Sequence, residues 1–286
     1  MLCKKPFFKM GGGTFPCGQC LHCRLNRRRM WTHRIVLESY LHEECCFVTL
    51  TYDDDHLPDG ETLVPEHLRN WLKRLRRALE PTKIRYYAVG EYGDESQRPH
   101  YHACLFGIGK SDQEQIDRAW SKGFTYTGDL TADSAQYTAG YTVKKLTNAD
   151  DPELGGRYPE FARMSNRPGI GADAVSEIAD AVKEVWRHQT YCDLDVPFSM
   201  SVGRKSFPIG RYLRHKLRDE LGMPEGGRNS MDVYEKSKEL SLLLSDKIAN
   251  STSEPHTLAN VLAEKNRQKL RNAESRSKIY KQRKTL

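Results

Sequence analysis

The sequence predicts an α+β fold: a central, mainly antiparallel sheet with helices packed on it, followed by a mostly helical C-terminal region. Three observations predict it. Runs of β-branched and aromatic residues, short enough to be strands, alternate with stretches whose apolar residues recur at helical spacing, in the order β-α-β-β-α-β-α. Two of those runs are separated by only a short polar turn, which makes them a hairpin. Past residue 148 the strand signal weakens, and the strongest later segments are helical. This order suggests helices on one face of the sheet, and it divides the chain into residues 1–30, rich in Cys and Arg, a sheet domain over 31–150, and a C-terminal region over 151–286.

Each element has a local justification. A glycine-containing loop leads into "CGQCLHC", Cys17 to Cys23, and "RLNRRRMWTHRIVLESYLHEE" then predicts a helix carrying Arg24, Arg27, Arg28, Arg29 and Arg34. "CCFVTLTYDDD", Cys45 to Asp55, is a strand that ends in polar turn formers. In "VPEHLRNWLKRLRRALEP" Pro65 starts a helix, Leu68, Trp71, Leu72, Leu75 and Leu79 recur on one side, and Pro81 closes it. "KIRYYAVGEYG" and "RPHYHACLFGIG" form the hairpin. "SDQEQIDRAWSKG" reads as a helix capped by Ser111 or Asp112 with Gly123 at its end. "FTYTGDL" is a short strand and "TADSAQYTAGYTVKKL" a further helix. "ADDPELGGRYPE" is loop-like and marks the boundary near residue 150. "ADAVSEIADAVKEVW" and "GRYLRHKLRDELG" are helical, and the chain ends in the basic tail "KNRQKLRNAESRSKIYKQRKTL".

Composition narrows the class. A net charge of +7 over 286 residues favours a polyanionic partner. No apolar run approaches the ~20 residues of a membrane span. The first residues lack the apolar stretch of a signal peptide, so the cysteines are expected to be reduced, in a cytosol.

Two constellations carry chemistry. His100 and His102 flank Tyr101 on a strand, so both imidazoles point to one face and Tyr101 to the other. Glu91 lies across the hairpin and is the best third ligand; Asp94 and Glu95 fall in the turn and are weaker. Two imidazoles and one carboxylate leave positions open for water or substrate, which suits a catalytic Mg²⁺ or Mn²⁺, although imidazole also accepts Zn²⁺. Downstream, at about 100° per helical residue, Tyr137 and Tyr141 differ by roughly 40°. Lys144 and Lys145 bracket them, while Ala135, Ala139, Thr142, Val143 and Leu146 form the opposite, smaller apolar side. A free phenol has a pKa of about 10, so a phenol used as nucleophile needs a nearby positive charge and a polarised target. Lys144 or Lys145 supplies the first and the His/His/Glu metal the second. Gly140, between the tyrosines, costs such a helix about 1 kcal/mol relative to Ala, which room for a close approach would explain.

Cys3, Cys17, Cys20 and Cys23 have thiolate-ligand spacing and either close around a structural Zn²⁺ or remain free thiols, with His22 an alternative fourth ligand. Cys45, Cys46, Cys104 and Cys192 read as small core residues. Arg24, Arg27, Arg28 and Arg29 predict a DNA-facing helix, because Arg suits phosphate. "GIGKS" at Gly107–Ser111 lacks the first glycine of a phosphate-binding loop, since Cys104 stands there. Nucleotide binding is therefore not expected.

"RPHYHACLFG" followed downstream by "YTAGYTVKK" resembles the HUH endonucleases, in which U is a hydrophobic residue. "FVTLTYDD" looks like their first strand motif and "GEYG" like the acidic segment that supplies the third ligand. The chain is most similar to the replication initiation proteins of microviruses, and "CGQCLHCRLNRRRMW" and "MSNRPGIG" resemble the gokushovirus branch. The resemblance is specific over residues 17–170. It implies an HUH-type domain and a rolling-circle initiator in the cytoplasm of a bacterial host, acting on single-stranded origin DNA. It also implies a 5′-phosphotyrosine intermediate on Tyr137 or Tyr141, with a separate host helicase and DNA polymerase. The rival readings are an HUH relaxase or transposase, and a non-catalytic, zinc-containing DNA-binding regulator.

Overall fold

The computed structural model describes residues 3–8, 14–144, 152–187, 196–202, 205–223, 264 and 266–276. In chain order its elements are β1 (Phe7–Phe8), β2 (Thr14–Phe15), α1 (Leu21–Ser39), β3 (Cys45–Thr51), α2 (Pro65–Ala78), β4 (Arg85–Tyr92), β5 (Pro99–Phe106), α3 (Gln113–Trp120), β6 (Thr125–Asp129), α4 (Ala132–Lys144), β7 (Phe161–Met164), α5 (Val175–Arg187), β8 (Ser199–Val202), β9 (Lys205–Pro208) and α6 (Gly210–Glu220). They fall into two compact units. One comprises Arg28–Ala181 and Pro197–Leu217; the other gathers the described parts of Met1–Arg27, Val182–Val196 and Arg218–Leu286.

The larger unit is built on a five-stranded sheet of order β6-β3-β5-β4-β7, antiparallel at every pairing. The expected α+β class and mainly antiparallel sheet are therefore present. Helices pack on both faces, not on one. On the first face Val48, Leu50, Ala88, Tyr101, Ala103 and Leu105 meet Leu68, Trp71 and Leu75 of α2 and Ile116 and Trp120 of α3. On the second, Tyr87, Val89, Cys104 and Phe106 meet Ile35 of α1 and Ala135 and Ala139 of α4. The reason is legible in the central strands. "YYAV" and "ACLF" are apolar at both parities, the pattern of a strand covered on both sides. Each fully buried side chain of this size contributes about 1.5–3 kcal/mol, so Trp71 and Trp120, both 0 % exposed, anchor the first face.

α2 buries its predicted stripe, Leu68, Trp71, Leu72 and Leu75, with Pro65 in the first turn where its missing N–H costs nothing. α3 differs from expectation at both ends. Asp112 accepts the Gly109 N–H (3.0 Å) and makes no side-chain cap to the helix. The helix ends at Trp120 with Ser121, not Gly123, in the left-handed cap position. Gly123 (φ +136°) instead lies against the end of β3, where a Cβ would sit 2.3 Å from the Asp53 amide nitrogen. The strand β7, which the sequence leaves unassigned, pairs with β4 and covers the sheet's other edge.

The segment "MSNRPGIG" is fastened from three elements. Arg34 Nε donates to the Ile170 carbonyl (2.8 Å), Glu38 accepts the Gly171 N–H (2.6 Å), and Arg85 donates to the Pro168 carbonyl (2.9 Å). Tyr212 accepts the Gly169 N–H (3.0 Å). Arg34 is thus an inward-facing residue, its guanidinium 4.3 Å from the Trp31 ring and 4.7 Å from the Tyr212 ring. In the smaller unit, β1 pairs with β2, the rings of Phe7 and Phe15 stack at 5.6 Å, and residues 266–276 are helical.

Candidate active site

The β4–β5 register places Glu91 directly opposite His100, and Val89 opposite His102. Alternation along β5 then points both imidazoles to the second face. Tyr101 points to the first, where its hydroxyl accepts the Val64 N–H (3.0 Å) and lies 2.8 Å from the Tyr52 hydroxyl. Glu91 Oε1 is 2.7 Å from His100 Nε2 and 3.1 Å from His102 Nε2, and all three candidate ligand atoms lie within 4.8 Å of one another. Among the described residues Glu91 completes this cluster; Asp94 and Glu95 stay in the connecting turn outside it.

The donor chemistry fits a cation. His100 Nδ1 lies 3.2 Å from the Arg98 carbonyl, an acceptor, so the ring proton belongs there. Nε2 then turns a lone pair toward a carboxylate oxygen at 2.7 Å, an arrangement that needs a positive charge between the two atoms. Without a metal a proton takes that place. Burial works against the charged imidazole of His100, but its bond to Glu91 and the nearby carboxylate charge outweigh it and raise its pKa. His102 is more deeply buried, and burial holds its pKa below the ordinary value, so it stays a neutral ligand. Burial opposes ionisation of Glu91, yet the bonds from both histidines keep its pKa low.

α4 carries the first tyrosine to this cluster. Its N-terminus is closed reciprocally: Ser134 N–H donates to Thr131 Oγ1 (3.2 Å) and Thr131 N–H to Ser134 Oγ (2.8 Å). Ala135, Thr138 and Ala139 are all 0 % exposed and dock the helix on the sheet, with Cys104 Sγ donating to Thr138 Oγ1 (3.5 Å). Tyr137 keeps 45 % of its surface exposed and sets its ring edge-on to His102, centroids 5.2 Å apart, with Phe47 at 6.1 Å. The expected separation of tyrosine side and apolar side therefore holds for Tyr137, Ala135 and Ala139. Tyr141 and Lys144 belong to the helix backbone, but their side chains lie outside the described residues, as does all of Lys145.

Several neighbours escape the sequence reading. Thr49 Oγ1 lies 2.9 Å from His102 Nδ1, and the Phe47 ring stacks on His102 at 5.5 Å. Glu160, whose carboxylate accepts the Tyr92 N–H (3.2 Å), adds negative charge near His100. At the β6 edge Tyr126 is the register partner of Thr49, which itself pairs with His102, and Tyr126 is 63 % exposed. Only the pairing of β3 with β5 and β6 reveals these positions. The one available signal was the alternation of "FVTLT", which puts Phe47, Thr49 and Thr51 on one side.

In the smaller unit the four predicted cysteines converge. All four sulfurs lie within 4.8 Å of one another, with Cys17–Cys23 at 3.9 Å and Cys3–Cys20 at 4.0 Å. Backbone N–H groups of Cys17, Cys20 and Lys4 donate to Cys3, Cys17 and Cys20 (3.3, 3.4 and 3.5 Å). The N–H groups of Cys20 and Gln19 draw the Cys17 thiol down to about 6, whereas burial pushes Cys23 up to about 12. His22 is not the fourth member; it is buried, with Nε2 3.2 Å from the Leu270 carbonyl. Cys46 and Cys104 are core residues as expected, Cys45 is half-buried, and Cys192 lies outside the described residues. Of the predicted DNA-facing arginines, Arg24 and Arg27 fall in the smaller unit and Arg28 and Arg29 in the larger, where Arg29 donates to the Ser206 carbonyl.

The chain has relatives among known proteins. The family model for replication-associated protein ORF2 matches residues 45–146, which run from β3 through α4. Replication-associated protein ORF2 of Spiroplasma virus 4 is 35 % identical over 230 residues, 72 % of this chain and 68 % of that protein. Replication-associated protein VP4 of Bdellovibrio phage phiMH2K is 32 % identical over 189 residues, 59 % of each chain. Replication-associated protein ORF4 of Chlamydia phage 1 is 32 % identical over 180 residues, 55 % of this chain and 45 % of that protein. No solved structure matches the chain.

Proposed function

The chain belongs to the replication-associated protein ORF2 family, with microvirus-like relatives, and from that premise we propose that it initiates rolling-circle replication by nicking and rejoining one strand of phage origin DNA. One observation carries the reading: the Tyr137 ring stands against His102, whose Nε2 shares a carboxylate oxygen of Glu91 with His100. That arrangement brings a potential oxygen nucleophile and a three-ligand cation site to one side of the sheet.

In this reading the Tyr137 or Tyr141 phenol loses its proton, and its oxygen attacks the phosphorus of a phosphodiester. The bond from phosphorus to the 3′-oxygen breaks. The 5′-phosphate remains on the protein as a tyrosyl ester, and the leaving oxygen takes a proton to become a 3′-OH that a host polymerase extends. After one round the other tyrosine cuts the regenerated origin, and the released 3′-OH displaces the first tyrosine to close a circle. The ester conserves the phosphodiester's free energy, so joining needs no nucleotide. Glu91, His100 and His102 would hold a divalent cation, Mg²⁺ or Mn²⁺, which supplies Lewis acidity to the attacked phosphate. Lys144 or Lys145 steadies the phenolate or the transition-state charge, and a separate host helicase opens the duplex. The action is in the cytoplasm of the bacterial host; among the described residues no helix is long and apolar enough to cross a membrane.

The cysteine cluster takes a structural Zn²⁺. A zinc ion about 2.3 Å from four sulfurs spaces them about 3.8 Å apart, close to the separations found here. The purified chain should carry one zinc, and replacing it with Co²⁺ should give the visible absorption of a tetrahedral thiolate site. Cys20→Ser should lose both.

The nicking activity is tested with an origin-bearing single strand and Mg²⁺ or Mn²⁺. A denaturation-resistant protein–DNA adduct, lost only when Tyr137 and Tyr141 are both changed to Phe, supports the reading. Tight binding with no adduct under any metal would instead favour a zinc-containing DNA-binding regulator. Cleavage that survives His100→Ala with His102→Ala would exclude the proposed metal site.

A further inference from the structure

Arg28, on α1, packs against the tyrosine helix α4. Its Cδ is 3.5 Å from the place a Cβ on Gly140 would occupy, an ordinary packing contact. Gly140 lies roughly 60° around α4 from Tyr137, so the stem of Arg28 runs beside the tyrosine-bearing side. Its Nε is buried and has no hydrogen-bond partner. Among the described residues no carboxylate or carbonyl engages its guanidinium.

Two other arginines of α1 are different, while Arg24, whose Nε is likewise buried and unmatched, belongs to the smaller unit. Arg29 donates to the Ser206 carbonyl, and Arg34 lies between two aromatic rings while donating to the Ile170 carbonyl. A buried donor on an always-charged group is rarely left unmatched without a ligand to match it. A planar guanidinium fork is suited to two oxygens of one phosphate.

We propose that Arg28 binds a phosphate of the DNA strand beside Tyr137 and so fixes the strand's backbone against the tyrosine helix. This rests on the reading that single-stranded DNA is the substrate of this site. Arg28 is set apart from Arg29 and Arg34 by its unmatched Nε, and from Arg24, which shares that feature, by its contact with α4. Arg28 would therefore set the position of the phosphate chain at the nucleophile.

The test compares Arg28→Gln with wild type in two measurements. The first is the affinity for a fluorescent single strand with no Mg²⁺ or Mn²⁺ added, where no cleavage occurs and the cysteine-bound zinc is kept, followed across a salt titration. Losing one phosphate contact should flatten the slope of log K against log salt by about 0.7. Arg77→Gln, an exposed arginine of α2 on the opposite face of the sheet, should leave the slope unchanged. The second is the single-turnover cleavage rate at saturating strand with Mg²⁺, which should fall about a hundredfold and recover in part when guanidinium ion is added. An unchanged slope, or a wild-type cleavage rate at saturation, overturns the proposal. If the slope flattens but the wild-type protein never forms an adduct, the phosphate contact stands and the nuclease reading falls. Should Arg28→Gln fail to fold, Arg28→Lys carries the test. A point charge without the fork should slow saturated cleavage about tenfold, and a wild-type rate would overturn the proposal.

Discussion

Thr49 Oγ1 meets Nδ1 of His102 at 2.9 Å, the ring nitrogen opposite the one that faces Glu91. His102 is thereby held from two strands, β3 through Thr49 and β4 through Glu91, and its ring plane is fixed before any cation arrives. Partners of this kind tune metal ligands, and their loss weakens metal affinity by about 10–100-fold. Thr49→Val keeps the shape and removes the hydroxyl. It should weaken Mn²⁺ binding, followed by calorimetry, within that range while the melting temperature hardly moves. Wild-type affinity would show that the Glu91 contact and the Phe47 stack orient the ring without Thr49.

Glu38 makes stability pH-dependent. The carboxylate is 0 % exposed, paired with Arg85, and accepts the Gly171 N–H. Burial alone would raise its pKa, but the Arg85 bond and the Gly171 N–H outweigh burial and lower it. In acid the unfolded chain therefore binds the proton that the folded chain refuses. The contribution is complete above an unfolded carboxylate pKa of roughly 4.3 and is lost as pH falls through the lower, folded value. Glu38→Gln strands Arg85 and should cost roughly 3–5 kcal/mol at pH 7. Denaturant melts at descending pH should show that gap narrowing below about pH 4; a constant gap would contradict the assignment.

Much of the site was legible because it depends on short-range geometry. The period of a strand aligns His100 with His102, and the brevity of the turn sets Glu91 across from His100. The helical period separates Tyr137 from Ala135 and Ala139. What was not legible depends on pairings between distant segments. Nothing local says that β3 lies between β6 and β5, yet that order brings Thr49 to His102. Phe161–Met164 is four residues long and contains Arg163, too little pattern to announce a strand. Arg34 looked like its neighbours in the basic run, and only the packing of "MSNRPGIG" between α1 and Tyr212 turns it inward.

Gly123 carries a steric prediction. With φ at +136°, a Cβ there would lie 2.3 Å from the Asp53 nitrogen and 2.5 Å from the Thr51 carbonyl oxygen. Both are backbone atoms of the β3–β6 junction, where Phe124 and Thr51 exchange hydrogen bonds at 3.1 and 2.9 Å. They have no flexible end to move aside. Gly123→Ala should cost about 3 kcal/mol or more, on the order of 10 °C in melting temperature. A melting curve superimposable on wild type would refute the tight junction.

Gly140 predicts the opposite sign. Space for Arg28 does not explain it, because a Cβ would rest 3.5 Å from Arg28 Cδ, an ordinary contact, and its φ is not in the left-handed region. Alanine therefore fits, and the intrinsic preference of an interior helix position should raise stability by about 1 kcal/mol. Thermal melts of Gly140→Ala check this, and a lower midpoint would mean that the contact with Arg28 is less tolerant than its distance indicates. A higher midpoint gives the glycine a different meaning. In the proposed mechanism the two phenols act in turn from positions roughly 40° apart around α4, which asks the helix to yield between nicking and joining. A stiffer helix should then nick at the wild-type rate but join more slowly. The ratio of circular product to tyrosyl adduct, measured on the same stabilised variant, reads that difference directly.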